Sequence, residues 1–219
     1  MGRQVTIFGA GRIGRSFMAP VFSHLGYSVV FIDADQRLVG LIRNRRRYSV
    51  HHIAPDGRTQ SETVGPVWAY HASQTSDVQK QVSRSSVIIT CVGKNALRVV
   101  ISTIADALAA GGTEAETAPN LILAENVHGA GEVVRSLFAE RGIDPDHVGV
   151  VETSIGKMVP IIETTGTESP LDVSAEDYNT LILDADGWIG DLPKSDEILP
   201  VSPIQAYVDR KLFIHNFGH

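Results

Sequence analysis

The sequence predicts an α/β fold, a doubly wound and mostly parallel sheet, on three observations. "QVTIF" at 4–8 runs straight into "GAGRIG" at 9–14 and then into "RSFMAPVFSHLG", which has helical spacing and a terminal glycine; this is strand, tight glycine turn, helix. "YSVVFID" at 27–33 is a second strand, rich in β-branched residues and ending on Asp33, which completes a βαβ unit. Strand and helix patterns then keep alternating to about residue 153, as parallel strands joined by crossover helices require.

Each later element follows from its own pattern. "ADQRLVGLIRNRRR" is a helix from about Gln36, and "RNRRR" at 43–47 is its C-terminus, where cations suit the helix dipole; a nucleic-acid or targeting patch is the alternative. Between about 48 and 70, apolar and polar residues alternate around "PDG", which predicts an inserted antiparallel hairpin, a lid or an interface. Next come a helix near 75–83, the strand "SVIITCVG" (86–93), a helix over about 95–110, the strand "NLILAEN" (120–126), a helix over about 129–141 and the strand "VGVVET" (148–153). Residues 170–186 can add strands at the sheet edge, and 192–203, with three prolines, reads as a linker. The expected division is therefore a dinucleotide-binding domain over 1–192, a linker over 193–203 and the start of a helical domain over 204–219.

Composition narrows the function classes. With 219 residues, 43% hydrophobic and 20% charged, the chain can bury one full core. A net charge of −6 and a pI near 5.7 argue against a general nucleic-acid binder. No apolar run approaches the ~18–20 residues that span a bilayer, and the chain enters a strand directly, without a signal-peptide pattern, so no membrane role and a cytoplasmic location are expected. Cys91 is the single cysteine, which excludes an internal disulfide and a cysteine-built zinc cage.

The G-x-G-x-x-G pattern gains meaning from its strand-turn-helix setting. Gly9 permits the tight turn, Gly11 lets backbone approach a pyrophosphate, and Gly14 lets helix pack on strand; Arg12 and Ile13 complete the binding loop. Asp33, 19 residues beyond Gly14, stands where a carboxylate accepts from an adenosine ribose. It would repel a 2′-phosphate, so NAD is expected over NADP unless Arg37 or Arg43 folds back. Arg12 and Arg15 can reach the pyrophosphate or lie in solvent. Gly93, just past the fourth strand of the alternating series, is expected to pass close to the cofactor, with Cys91 a small core residue rather than a nucleophile. "AENVHG" (124–129) aims Glu125, Asn126 and His128 at the same crevice, although a simple turn role for Asn126 stays open.

The last stretch, "RKLFIHNFGH" at 210–219, gathers Lys211, Asn216 and His219 on one helical face, opposite Phe213 and Phe217. Oxidising a secondary alcohol needs a base for the hydroxyl proton and donors for the developing alkoxide. Lys211 can be the base, with Asn216 and Asn126 the donors; a solvated surface helix is the plain alternative. Tyr207 and Lys211 also show the Tyr-x-x-x-Lys spacing of short-chain dehydrogenases, but the glycine loop here is not theirs.

The Lys-x₄-Asn-x₂-His spacing in "KLFIHNFGH" resembles the signature of the zinc-independent, polyol-specific long-chain dehydrogenases. "FGAGRIGR", "FIDAD", "AENV" and "VGVVETSIGKMVP" match that family in kind and order, so the likeness covers nearly the whole chain. It implies a Rossmann-type domain binding NAD, no catalytic metal, Lys211 as general base, Asn216 and Asn126 on the alkoxide, and His219 orienting substrate hydroxyls. His215 has no counterpart in the signature, and Tyr207 stands where relatives commonly carry phenylalanine. The start of the glycine motif so near residue 1 favours the phosphate-using branch, which interconverts mannitol 1-phosphate and fructose 6-phosphate, over mannitol 2-dehydrogenases or uronate reductases. Lys94, Lys157 and Arg210 are candidates for the substrate phosphate. Family members continue past this histidine into a helical domain, so a fragment is expected, and a non-catalytic NAD(H)-binding module is the rival reading. The apolar stretch at 200–217 is a candidate oligomer interface, or the face such a domain covers.

Overall fold

The computed structural model describes residues 3–111, 118–125, 129–155, 169–177 and 180–207. Its centre is an eight-stranded sheet in the order β11-β10-β8-β7-β6-β1-β2-β5. The strands are β1 (Gln4–Phe8), β2 (Ser28–Asp33), β5 (Val67–His71), β6 (Val87–Thr90), β7 (Asn120–Leu123), β8 (Gly149–Ser154), β10 (Leu181–Asp184) and β11 (Ile198–Val201). From β5 to β8 every pair is parallel, β10 runs antiparallel to β8 and β11 parallel to β10. The expected α/β fold with a mostly parallel sheet is thus present, and strand order reverses between β1 and β6.

Near-continuous apolar strands are buried on both faces because their alternate residues serve two cores. Val5, Ile7, Val29 and Phe31 face α1 (Ala19–His24), α2 (Gln36–Arg45) and the inserted hairpin. Phe8, Val30, Ile32, Ile88 and Leu121 face α3 (Thr75–Arg84), α4 (Lys94–Gly111) and α5 (Ala130–Ala139).

The helix after β1 starts at Arg12 and Ile13 and passes at once into a π-helical turn, Gly14–Met18, closed by Ala19 N–H donating to the Gly14 carbonyl. Pro20 explains why this turn widens. It has no N–H to give the Ser16 carbonyl four residues back, and its ring crowds that oxygen, so the ladder resettles on a longer repeat. At the other end of the βαβ unit, the arginine run does terminate α2. Arg43 and Arg45 sit in its last turn, and Arg46, left-handed at φ 57°, caps it with its guanidinium 4.5 Å from the Trp68 ring.

The hairpin is shorter than expected. β3 (Tyr48–Ile53) and β4 (Thr59–Val64) pair antiparallel around the "PDG" turn, but residues 67–70, expected in the same hairpin, belong to β5 in the main sheet. The "GP" dipeptide at 65–66 marks the break. A side chain on Gly65 would lie 2.7 Å from Arg47 Cβ, so only glycine lets the chain pass there from one sheet to the other. β9 (Val173–Glu176), expected at the main sheet's edge, instead runs parallel to β3 and makes a small three-stranded sheet. Within the segment read as a linker, Ile198–Val201 forms β11, an edge strand, where Pro200 is tolerated because one side of the strand needs no donor. Helix resumes at residues 205–207. Among the described residues no helix is long and apolar enough to cross a membrane.

Candidate functional site

The carboxyl ends of β1, β2, β6 and β7 converge where strand order reverses, the position at which a doubly wound sheet opens a crevice. Gly9 leaves β1 at φ 98°, and a side chain there would stand 2.4 Å from the Cys91 carbonyl oxygen. A side chain on Gly14 would stand 2.2 Å from the Gly9 carbonyl oxygen. Both glycines are therefore demanded by the protein's own packing. Gly11 is different: a Cβ there meets nothing within 4 Å among the described residues, and its φ lies outside the left-handed range. It is exposed, as is Arg12, while Ile13 is half-buried. The fold does not need a glycine at 11, so the small residue leaves room for something outside the chain, beside helix N–H groups that have no acceptor within the helix.

Asp33, at the end of β2, is fastened across this loop. Its Oδ2 accepts from Ala10 N–H at 2.6 Å and its Oδ1 from Asp35 N–H at 2.8 Å. It remains partly exposed, so acceptor capacity is left for a ligand's hydroxyls. These features fit a dinucleotide, with the loop and the helix start at the pyrophosphate and Asp33 at a ribose.

Arg15 takes neither of the roles weighed for it. It is 8% exposed, its Nε donates to the Ala10 carbonyl at 2.8 Å, and its guanidinium also reaches the Leu171 carbonyl just before β9. The Tyr48 hydroxyl donates to the Arg15 carbonyl at 2.7 Å. Arg15 therefore ties the glycine loop to the small sheet. Burial lowers its pKa, with Tyr48, Asp33 and Asp172 opposing that effect. The Tyr48 hydroxyl is pushed well up by its own burial.

The other half of the crevice is organised by Glu125. This residue is 8% exposed; its Oε2 accepts from the Thr90 hydroxyl at 2.6 Å and its Oε1 from Val92 N–H at 2.9 Å. Burial raises its pKa, and the two donated bonds hold it back. Cys91 lies between those donors; burial of its thiol and then the Glu125 charge push it well up, which suits a packing residue and not a nucleophile. Gly93 is exposed at φ 76° and open on its outer side, and its carbonyl accepts from Ala96 and Leu97 N–H at the start of α4. Lys94, exposed, opens that helix.

Gly9, Gly11, Arg12, Ile13, Gly14, Asp33 and Gly93 thus share one sheet edge. Asn126, His128, Lys157, Arg210, Lys211, Asn216 and His219 lie outside the described residues. Sequence reading missed the Arg15 clamp and the Thr90–Glu125 pair. A lone threonine closing the apolar run "SVIIT" was the one signal for the latter, since a buried hydroxyl needs a partner.

Residues 3–195 match the family model described as the mannitol dehydrogenase Rossmann domain. The chain is 34% identical to a mannitol-1-phosphate 5-dehydrogenase of Bacillus subtilis (strain 168), over 97% of its own length and 57% of that protein. It is 32% identical to the same-named protein of Bacillus velezensis over the same shares. The chain therefore spans a little over half the length of these curated relatives. Among solved structures, its fold is similar to octopine dehydrogenase in complex with NADH and agmatine (TM-score 0.62, 14% identity, 94% of this chain and 45% of that one). It is also similar to D-mandelate dehydrogenase with NADH and anilino(oxo)acetate (TM-score 0.62, 15% identity, 97% and 61%).

Proposed function

The chain belongs to the mannitol dehydrogenase Rossmann-domain family, and on that premise we propose that it is the NAD-binding part of an oxidoreductase interconverting mannitol 1-phosphate and fructose 6-phosphate. The observation that carries the cofactor reading is Gly11, a glycine that neither its backbone conformation nor packing among the described residues requires, at the mouth of a loop whose other two glycines are both required. The likeness to mannitol-1-phosphate 5-dehydrogenases supports the substrate.

When bound, NAD would supply hydride transfer between its nicotinamide and the substrate's carbinol carbon. The chain's own residues bind and steer. The helix start at Arg12 and Ile13 holds the pyrophosphate, and Asp33 accepts from the adenosine ribose and disfavours a 2′-phosphate, so NAD is taken over NADP. Lys211 takes the carbinol proton, Asn216 and Asn126 donate to the substrate oxygen, and His219 orients neighbouring hydroxyls; no metal is assigned a part.

Titration with NADH and NADPH, followed by fluorescence, tests the cofactor assignment. NADH should bind at least tenfold tighter, and Asp33→Ala should narrow that gap; equal or tighter NADPH binding overturns the role of Asp33. In a version extended by the helical domain that family members carry, Lys211→Ala should remove most mannitol-1-phosphate-dependent NAD reduction while NADH affinity stays within about twofold, because the base is separate from the cofactor cradle. A protein so extended that binds NADH but does not reduce fructose 6-phosphate supports a binding module in place of an enzyme.

A further inference from the structure

Glu125 poses a problem that hydrogen bonding alone does not solve. Its partners are neutral donors, the Thr90 hydroxyl and Val92 N–H. Glu125 is 8% exposed, and among the described residues no cation pairs with its carboxylate. A glutamine would satisfy the same two partners, with Oε1 accepting from Val92 N–H and Nε2 donating to Thr90 Oγ1, and would avoid the cost of desolvating a charge. The structural task therefore calls for the shape of this side chain but not for its charge.

The position of Glu125 suggests what the charge is for. A dinucleotide straddles the point of strand reversal, one mononucleotide over each half of the sheet. Asp33 assigns the adenosine to the β1-β2-β5 half, which leaves the nicotinamide to the β6-β7-β8 half, where Glu125 follows β7 and braces the loop after β6. Oxidised and reduced nicotinamide differ by one positive charge on the ring. We propose that the Glu125 carboxylate, which meets only neutral donors among the described residues, selects the oxidation state of the cofactor, favouring NAD+ over NADH through the charge of the oxidised ring. The inference rests on the dinucleotide reading and adds to it a group that sets which redox form the site prefers. In a poorly hydrated pocket a single charge acts over several ångströms, because few water dipoles screen it.

The experiment is a ratio of affinities, measured by calorimetry for NAD+ and by fluorescence for NADH. In Glu125→Gln, NADH affinity should stay within about threefold and NAD+ affinity should fall about tenfold, so the ratio shifts about tenfold. Loosening of the loop alone would weaken both forms together and leave the ratio unmoved. Thr90→Val removes one hydrogen bond and keeps the charge, and should leave the ratio unchanged whatever it does to both affinities. If the glutamine variant does not fold, the wild-type ratio is followed from pH 8 to pH 5. It should fall as the carboxyl takes up its proton, while the Cys91 thiol, the ionisable group facing Glu125 from the β6 side, stays neutral throughout. Binding of both forms with a ratio unchanged in Glu125→Gln, or flat with pH when that variant fails, overturns this inference alone. A wild-type chain that binds neither form overturns the dinucleotide reading and this inference with it.

Discussion

The two halves of the crevice repeat one device with opposite exposure. In the first, Asp33 at the end of β2 accepts an amide proton from the loop after β1; in the second, Glu125 beyond β7 accepts one from the loop after β6. Each carboxylate braces its neighbour's loop. Asp33 is partly exposed and has acceptor capacity beyond the two amides it meets, whereas Glu125 is buried against its two donors. Residue type at a strand end is therefore not enough to assign a role. Exposure decides whether a carboxylate has acceptor capacity left to offer outside the fold.

The largest expected effect contrasts the glycines of the first half. Gly9→Ala should destabilise the protein by about 3 kcal/mol or more in urea unfolding, since the new methyl meets the Cys91 carbonyl at 2.4 Å and φ 98° is a strained conformation for it. Gly11→Ala should change stability by less than about 0.5 kcal/mol yet weaken NADH binding at least tenfold. Equal stability losses in the two variants would break the distinction between glycines kept for packing and the one kept for a ligand.

Arg15 comes next, because it couples the first half to the small sheet. Arg15→Met keeps the bulk of the side chain and leaves the Ala10 and Leu171 carbonyls without their donor, at a cost of about 2–4 kcal/mol. Hydrogen exchange should show the glycine loop and β9 losing protection together. Loss confined to one of them would mean that the clamp carries no coupling.

The smallest effect sharpens the contrast with carboxylates that have ordinary charged partners. His24 places Nε2 2.8 Å from Glu62 and Nδ1 2.9 Å from Glu197, and Glu62 also meets His52 Nε2 at 2.7 Å. Carboxylates only accept, so both contacts of His24 are hydrogen bonds when the ring is protonated and donates twice. Partial burial opposes that charge, but the bonds and charges of Glu197 and Glu62 outweigh it and raise the pKa. A folded pKa above the unfolded one means stability fully present below about pH 6.5 and lost as pH rises through the raised value. With the ring 46% exposed, the loss should stay under about 1 kcal/mol. Urea midpoints between pH 5 and pH 9 should show it in the wild type and not in His24→Gln.

Most of the fold was legible because its signals are local. Apolar runs such as "QVTIF" and "SVVFID" are strands in any setting, and the glycine spacing at 9, 11 and 14 allows few turns. The exceptions share a cause. "VWAYH" at 67–71 alternates well enough to extend the hairpin, and only the Gly65–Pro66 break sends it to the main sheet beside β2. "VSAE" at 173–176 lacks the apolar density of the other strands, and it is a strand because β3 supplies its partner. Register between sheets is a property of the pair, not of either segment.

By itself, then, the sequence determined the alternation of strands and helices, the glycine turn and the carboxylate at the end of β2, since periodicity and turn chemistry act over a few residues. Only the tertiary structure decided that Arg15 is a buried clamp and that Glu125 is a buried carboxyl held by Thr90 and Val92. Their partners stand 156 and 35 residues away in the chain, and a side chain's burial and its hydrogen-bond partner exist only once those distant segments have been packed against it.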